Sequence, residues 1–139
     1  MKQIGMQDFA GKRVWVIGAS SGIGEACAIA LFAAGASVAL SGRRLQNLQT
    51  VAQHAKPNQS LILPLDVTEP KVIQESYQKL IQEWGQLDML LFVSGIYIPL
   101  RADNFEMASA EKTINANVLG PMRAVAAVLP NMLKQHSGH

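Results

Sequence analysis

The sequence holds one cysteine, Cys27, so it can build neither an intrachain disulfide nor a multi-cysteine metal site. That usage suits a reducing compartment, and the cytoplasm is the expected location. Charge is also sparse. Only 16% of residues are charged, against about 25% in an ordinary globular protein. Twelve Lys and Arg against ten Asp and Glu leave +2, too small an excess for a nucleic-acid surface. No apolar run approaches the roughly 20 residues that span a bilayer, so no membrane partner is expected. The opening MKQIGMQDFAGKR is polar and lacks the apolar core of a signal peptide. His54, His136 and His139 show neither metal-ligand spacing nor a nucleophile partner; they read as surface residues, and no metal is expected. What the chain does have is apolar residues, 49% of 139, enough for one compact domain over 1–139 and too many for a disordered tail.

Those apolar residues alternate between short runs and helical spacing. Residues 13–18 read as a strand buried on both faces. Residues 23–34 turn helical, with Ile23, Cys27, Ala30, Leu31 and Ala34 on one side and Gly35 as a left-handed stop. A second strand and helix follow at 37–40 and 45–54, and a third strand at 60–65 after Pro57 and Asn58. The third helix is expected to start at an N-cap Thr68, with Pro70 early in its first turn, and to run to Trp84 and Gly85. Residues 87–93 form a fourth, strongly apolar strand, and 109–135 a long helical stretch. The order βαβαβαβ plus a long helix predicts an α/β fold with a parallel sheet, because each parallel neighbour needs a crossover.

Between the first strand and helix lies Gly18-Ala19-Ser20-Ser21-Gly22-Ile23-Gly24. Glycines there permit a tight turn and the close approach of a pyrophosphate, which then faces the free N–H groups of the helix. A plain packing turn is the bland alternative. Two chemical rivals use the same letters. Gly18-x-Ser20-x-Gly22 fits a nucleophile elbow, but an elbow needs an earlier strand and loop for its oxyanion hole, and only about a dozen residues precede this strand. A nucleoside-triphosphate loop needs Lys and Ser or Thr after its last glycine, where this chain has Glu25 and Ala26.

The spacing G-x-x-x-G-x-G resembles the nucleotide turn of short-chain dehydrogenases/reductases, and further landmarks of that family recur in order over nearly the whole chain. Asp66-Val67 resembles the family's adenine-contacting pair, 87–91 the strand before its Asn-Asn-Ala-Gly segment, and Asn117 in Ile114-Asn115-Ala116-Asn117-Val118-Leu119-Gly120 its catalytic Asn. The resemblance implies a Rossmann-type doubly wound sheet in which Gly18, Gly22 and Gly24 shape the pyrophosphate turn. Ser20, Ser21 and Ile23 would lie beside it, Asp66 and Val67 would flank the adenine, and Gly95 would let the ribose approach. Departures are Ile17 where the family has Thr, and Phe92-Val93-Ser94-Gly95, which keeps only the glycine. Read without the family, Asp66 is equally a cap or turn residue.

An NAD enzyme places an acid at the end of the second strand; here that position is Gly42, followed by Arg43 and Arg44. Guanidinium forks suit phosphate oxygens, and cations before a helix are unfavourable unless an anion is bound. The expected cofactor is therefore NADP rather than NAD, with Arg43 as principal 2′-phosphate ligand and Arg44 beside it. Two solvated loop arginines are the alternative.

Pro121 cannot donate to the Asn117 carbonyl, so a continuous helix should be disturbed there; the alternative is two helices meeting near 115–121. Val118, Met122, Val125, Leu129 and Met132 or Leu133 form an apolar stripe, most simply core; the resemblance adds a homo-oligomer interface. The family's Tyr-x-x-x-Lys is absent: Ile81 follows Tyr77 and Arg101 follows Tyr97 at the fourth place. The sheet is therefore expected to be incomplete at the C-terminus, with strands one to four and the long helix present and strand four an unpaired edge. The expectation is an NADP-dependent oxidoreductase acting on a small carbonyl or alcohol in the complete protein, with this chain alone inactive. A non-catalytic NADP-binding or sensing module is the alternative.

Overall fold

The computed structural model describes residues 9–139. Its elements are β1 (Arg13–Ile17), α1 (Gly22–Ala33), β2 (Ser37–Ser41), α2 (Leu45–Ala52), β3 (Ser60–Ile62), α3 (Pro70–Trp84), β4 (Met89–Phe92) and α4 (Met107–Ile114). A π-helical turn, Asn115–Leu119, then leads into α5 (Gly120–Gln135). The sheet order is β3-β2-β1-β4 and every pair is parallel. This is the Rossmann-type doubly wound arrangement, with helices on both faces.

Pleating explains the two layers. Trp15, Ile17 and Ala39 face one way, against Ile73, Tyr77 and Leu80 of α3 and Ala124, Ala127 and Val128 of α5. Val14, Val16, Val38 and Leu40 face the other, against Ala28, Leu31 and Phe32 of α1 and Leu48 and Val51 of α2. Because both faces are covered, the strand interiors, such as Val14–Ile17 and Val38–Leu40, are apolar at successive positions rather than alternating. Each large side chain so enclosed, such as Leu40 or Leu80, contributes about 1.5–3 kcal/mol of burial.

Several expectations are corrected. In α1 the inward face is Gly24, Ala28, Leu31 and Phe32, while Ile23 is 75% exposed. That helix is apolar nearly all round, so periodicity could not choose the face. The N-cap of α3 is Glu69, not Thr68, with Pro70 opening the helix. The Thr68 N–H and hydroxyl both donate to Asp66 Oδ1, at 2.9 and 2.7 Å, so Asp66 closes a local turn before the helix starts. Regular β3 pairing ends at Ile62, although the Leu63 and Leu65 N–H groups still reach the Leu40 and Gly42 carbonyls at 2.9 and 3.0 Å.

The long helical stretch is continuous, which overturns the two-helix alternative. The disturbance expected at Pro121 is a widened turn, in which the Gly120 N–H bonds the Asn115 carbonyl five residues back. The apolar stripe of α5 points outward, not into the core. Met122 is 62% and Leu133 64% exposed, whereas small residues, Gly120, Ala124 and Ala127, face the sheet with Val128. Small side chains let the helix lie close to α3 and β4.

The outer edge of β4 is not wholly unpaired. The Leu90 N–H donates to the His139 carbonyl at 2.9 Å, and the His139 N–H to the Asp88 carbonyl at 3.1 Å. These two bonds have the pattern of a parallel neighbour beside Met89.

Candidate functional site

In a doubly wound sheet the ligand crevice lies outside the carboxyl ends of the strands, where the connections reverse direction. Here that point is between β1 and β4, and a crevice opens there. Gly18, Ser20, Ser21, Arg43, Arg44, Val67 and Gly95 line it among the expected residues. Ile17, Gly42, Leu65, Val93, Ser94, Ile96 and Ala116 complete its walls. Gly22, Ile23, Gly24, Asp66 and Asn117 stand behind or beside that lining rather than in it.

The glycine turn is built by close approach. Gly18 has φ +102°, and a Cβ there would stand 2.6 Å from the Ser94 nitrogen. Only a residue without a side chain lets β1 turn against the end of β4. A Cβ on Gly24 would meet the Gly18 carbonyl and the Val93 side chain, so α1 rests directly on the turn. The Gly18 and Ala19 N–H groups are occupied by the Ser41 carbonyl, at 2.8 and 2.9 Å. The amides left for an anion are those of the first turn of α1, which a helix cannot satisfy internally. The N-cap Ser21 makes no side-chain cap to them.

Its hydroxyl is engaged elsewhere. Arg44 Nη2 donates to Ser21 Oγ at 2.6 Å and to Ser20 Oγ at 3.3 Å. Asn47 Nδ2 donates to the Ser20 carbonyl at 3.2 Å, tying the first turn of α2 to the same loop. The guanidinium thus stands at the amino end of α1, where a cation opposes the macrodipole until an anion joins it. The sequence favoured Arg43 and missed the reach of Arg44; the hydroxyls at Ser20 and Ser21 were the available signal. A Cβ on Gly42 would stand 3.2 Å from Ser20 Oγ, so the position that would carry an acid for a free ribose is hemmed in.

Arg43 is felt on the other side. Partial burial pushes the Asp66 carboxyl up, but the Thr68 N–H and hydroxyl, with the Arg43 charge, outweigh it and hold the carboxyl below its usual range. Asp66 is therefore an ionised turn residue whose neighbour, Val67, presents the wall of the crevice.

Asn117 sits in the π turn with its side chain clasping the loop after β4. The Ile96 N–H donates to Asn117 Oδ1 at 2.8 Å, and Asn117 Nδ2 donates to the Ile96 carbonyl at 2.7 Å. The residue expected to be catalytic thus fixes the crevice wall at Gly95 and Ile96. Sequence reading missed Arg123, whose Nη1 donates to Asn115 Oδ1 at 2.7 Å and reaches the Val67 and Thr68 carbonyls at 3.4 Å each. Among the described residues no helix is long and apolar enough to cross a membrane.

The profile of the family described as short chain dehydrogenase matches residues 12–139. Two similar proteins are described as uncharacterized oxidoreductases. One, from Staphylococcus aureus (strain MW2), is 36% identical over 124 residues, covering 89% of this chain and 54% of that protein. The other, from Staphylococcus saprophyticus, is 33% identical over 137 residues, covering 96% of this chain and 58% of that protein. Among solved structures, a short-chain dehydrogenase from Streptomyces avermitilis has a TM-score of 0.86 at 29% identity, covering 93% of this chain and 47% of that one. A short-chain type dehydrogenase/reductase from Mycobacterium marinum also has a TM-score of 0.86 at 29% identity, covering 94% and 53%. The chain spans about half the length of the relatives it matches.

Proposed function

This chain belongs to the short-chain dehydrogenase family, and from that premise we propose that the complete protein is an NADP-dependent oxidoreductase acting on a small carbonyl or alcohol. The observation that carries the cofactor choice is the pairing of an uncapped α1 amino end with Arg44, 2.6 Å from Ser21 Oγ, beside a strand end without an acid. This donor set suits two separate phosphates. Gly18, Gly22 and Gly24 shape the turn that receives the pyrophosphate, with Ser20, Ser21 and Ile23 around it. Arg43 and Arg44, which both line the crevice, would hold the 2′-phosphate. Val67 packs on the adenine over the turn that Asp66 closes, and Gly95 admits the ribose. When bound, the nicotinamide supplies or accepts the hydride.

Of the catalytic groups, this chain carries Asn117. Neither Tyr77 nor Tyr97 has a Lys four places on, so the proton-transferring Tyr and Lys belong to the half of the protein that the matched relatives have and this chain does not span. The chain alone is accordingly expected to bind NADPH without turnover. The outward stripe of Val118, Met122, Val125, Leu129 and Leu133 serves as a face for a second copy. The lone thiol of Cys27 suits a reducing compartment such as the cytoplasm.

The test is titration of the folded protein with NADPH and NADH, followed by fluorescence and melting temperature. NADPH is expected to bind at least about tenfold tighter, the scale of one charge-assisted contact. No response to either dinucleotide at millimolar concentration would overturn the reading.

A further inference from the structure

Arg123 has no part in the site as proposed above, yet its position connects the two walls of the crevice. It lies in the first turn of α5 and is half-buried. Among the described residues no carboxylate lies within ion-pair distance of it. Its donors go to three neutral oxygens instead: Asn115 Oδ1 at 2.7 Å, and the Val67 and Thr68 carbonyls at 3.4 Å. Sheltering a cation without a counter-charge is unfavourable unless its hydrogen bonds are met, so these acceptors locate the side chain. They come from two places, the turn that follows β3 and the first residue of the π turn.

The same junction is closed by packing. A Cβ on Gly120 would stand 3.2 Å from the Val67 Cβ and 3.4 Å from the Phe92 ring, so the helix backbone meets both directly. Asn117 is two residues beyond Asn115, and helical residues two apart project to opposite sides. Its amide therefore reaches the other wall, bonding both backbone groups of Ile96. The π turn thus joins the Val67 wall to the Gly95–Ile96 wall, and Arg123 fastens its first residue.

We infer that Arg123 is a positioning residue that braces the two walls of the crevice against each other through Asn115 and the Val67 and Thr68 carbonyls. Its consequence for catalysis rests on the dinucleotide reading above; the brace itself does not. All three contacts are made by Nη1, whose two N–H groups are shared among the three acceptors at the end of a long side chain.

The test uses the full chain without ligand, comparing Arg123→Ala, Arg123→Lys and Asn115→Ala with the unaltered protein by amide hydrogen exchange. The reporters are Thr68, whose N–H bonds Asp66, and Ile96, whose N–H bonds Asn117; Val38, deep in the sheet, is the reference. Arg123→Ala is expected to speed exchange at both Thr68 and Ile96 about tenfold while Val38 holds, with Arg123→Lys recovering part of the loss. Asn115→Ala, which leaves the guanidinium in place, is expected to speed Ile96 by a similar factor. NADPH affinity should fall about tenfold in Arg123→Ala, since both walls lose order together. A change at Thr68 without one at Ile96, an equal change at Val38, or unaltered exchange in all three variants overturns the brace. If exchange responds as expected while the unaltered protein binds no dinucleotide, the brace stands and the cofactor reading fails.

Discussion

Asn117 and Ile96 exchange two hydrogen bonds, side-chain amide to backbone amide, at 2.7 and 2.8 Å across the mouth of the crevice. A carboxamide can do this because it offers a donor and an acceptor side by side, the same pair a strand neighbour would offer. The residue proposed above for the catalytic site is therefore a structural clasp in this fold. Asn117→Ala is expected to cost on the order of 1 kcal/mol of stability in urea melts, the net worth of a bond or two at an exposed site. Asn117→Ser, too short to reach both groups, should behave like Ala.

The arginines act on one phosphate group in the proposed complex, so their loss should be selective. Arg44→Ala and Arg43→Ala are each expected to weaken NADPH about tenfold or more and NADH less than about threefold, in fluorescence titrations at fixed salt. Equal losses for both dinucleotides would count against the 2′-phosphate assignment.

Gly18→Ala tests the turn. The new methyl would meet Ser94 backbone at 2.6 Å on a residue with φ +102°, so it is penalised by both packing and backbone conformation. A loss of about 2 kcal/mol or more in unfolding free energy, measured by urea denaturation, is expected, with dinucleotide binding abolished. Gly85→Ala, which meets nothing within 4 Å at φ +76°, should cost only the conformational part, about 1 kcal/mol.

Tyr77 lies 3% exposed, its ring stacked on Trp15 at 6.0 Å. Burial pushes the phenol up and Asn131 alongside opposes it, yet the hydroxyl makes no well-formed hydrogen bond. Deleting an unsatisfied buried hydroxyl while keeping the ring should help. Tyr77→Phe is expected to raise stability by about 0.5–1 kcal/mol, seen as a higher melting temperature. A loss of that size would mean that the hydroxyl is bonded in solution.

Acid should expose the role of Asp66. Its folded pKa lies below the ordinary 3.8, so the ionised carboxylate stabilises the fold above that value and the contribution is lost as pH falls through the folded pKa. The stability difference between the unaltered protein and Asp66→Asn should be constant above about pH 5 and shrink below about pH 4. A difference that stays flat to lower pH would show that the Thr68 contacts do not depend on charge.

The order of strands and helices was legible because alternation of apolar runs with helical spacing survives without knowing what packs on what. The glycine turn was legible because strand, glycines and helix are contiguous. The inward faces of α1 and α5 were not. α1 is apolar almost all round, and in α5 the large apolar residues point outward while glycine and alanines face the sheet, the reverse of what size alone suggests. Thr68 looked like a cap; its hydroxyl turned to Asp66, a choice between two local partners that composition cannot rank.

By itself, then, the chain's order of residues determined the parallel sheet, the position of the glycine turn and the absence of an acid at Gly42. Those depend on neighbours along the backbone, whose geometry short-range sterics already restrict. Only the tertiary structure decided that Arg44 reaches Ser21 across 23 positions, that Asn117 clasps Ile96 across 21, and that Arg123 reaches Val67 across 56. Such pairs arise from how β2, β4 and α5 come together in space, and nothing in local spacing specifies which side chain will arrive there.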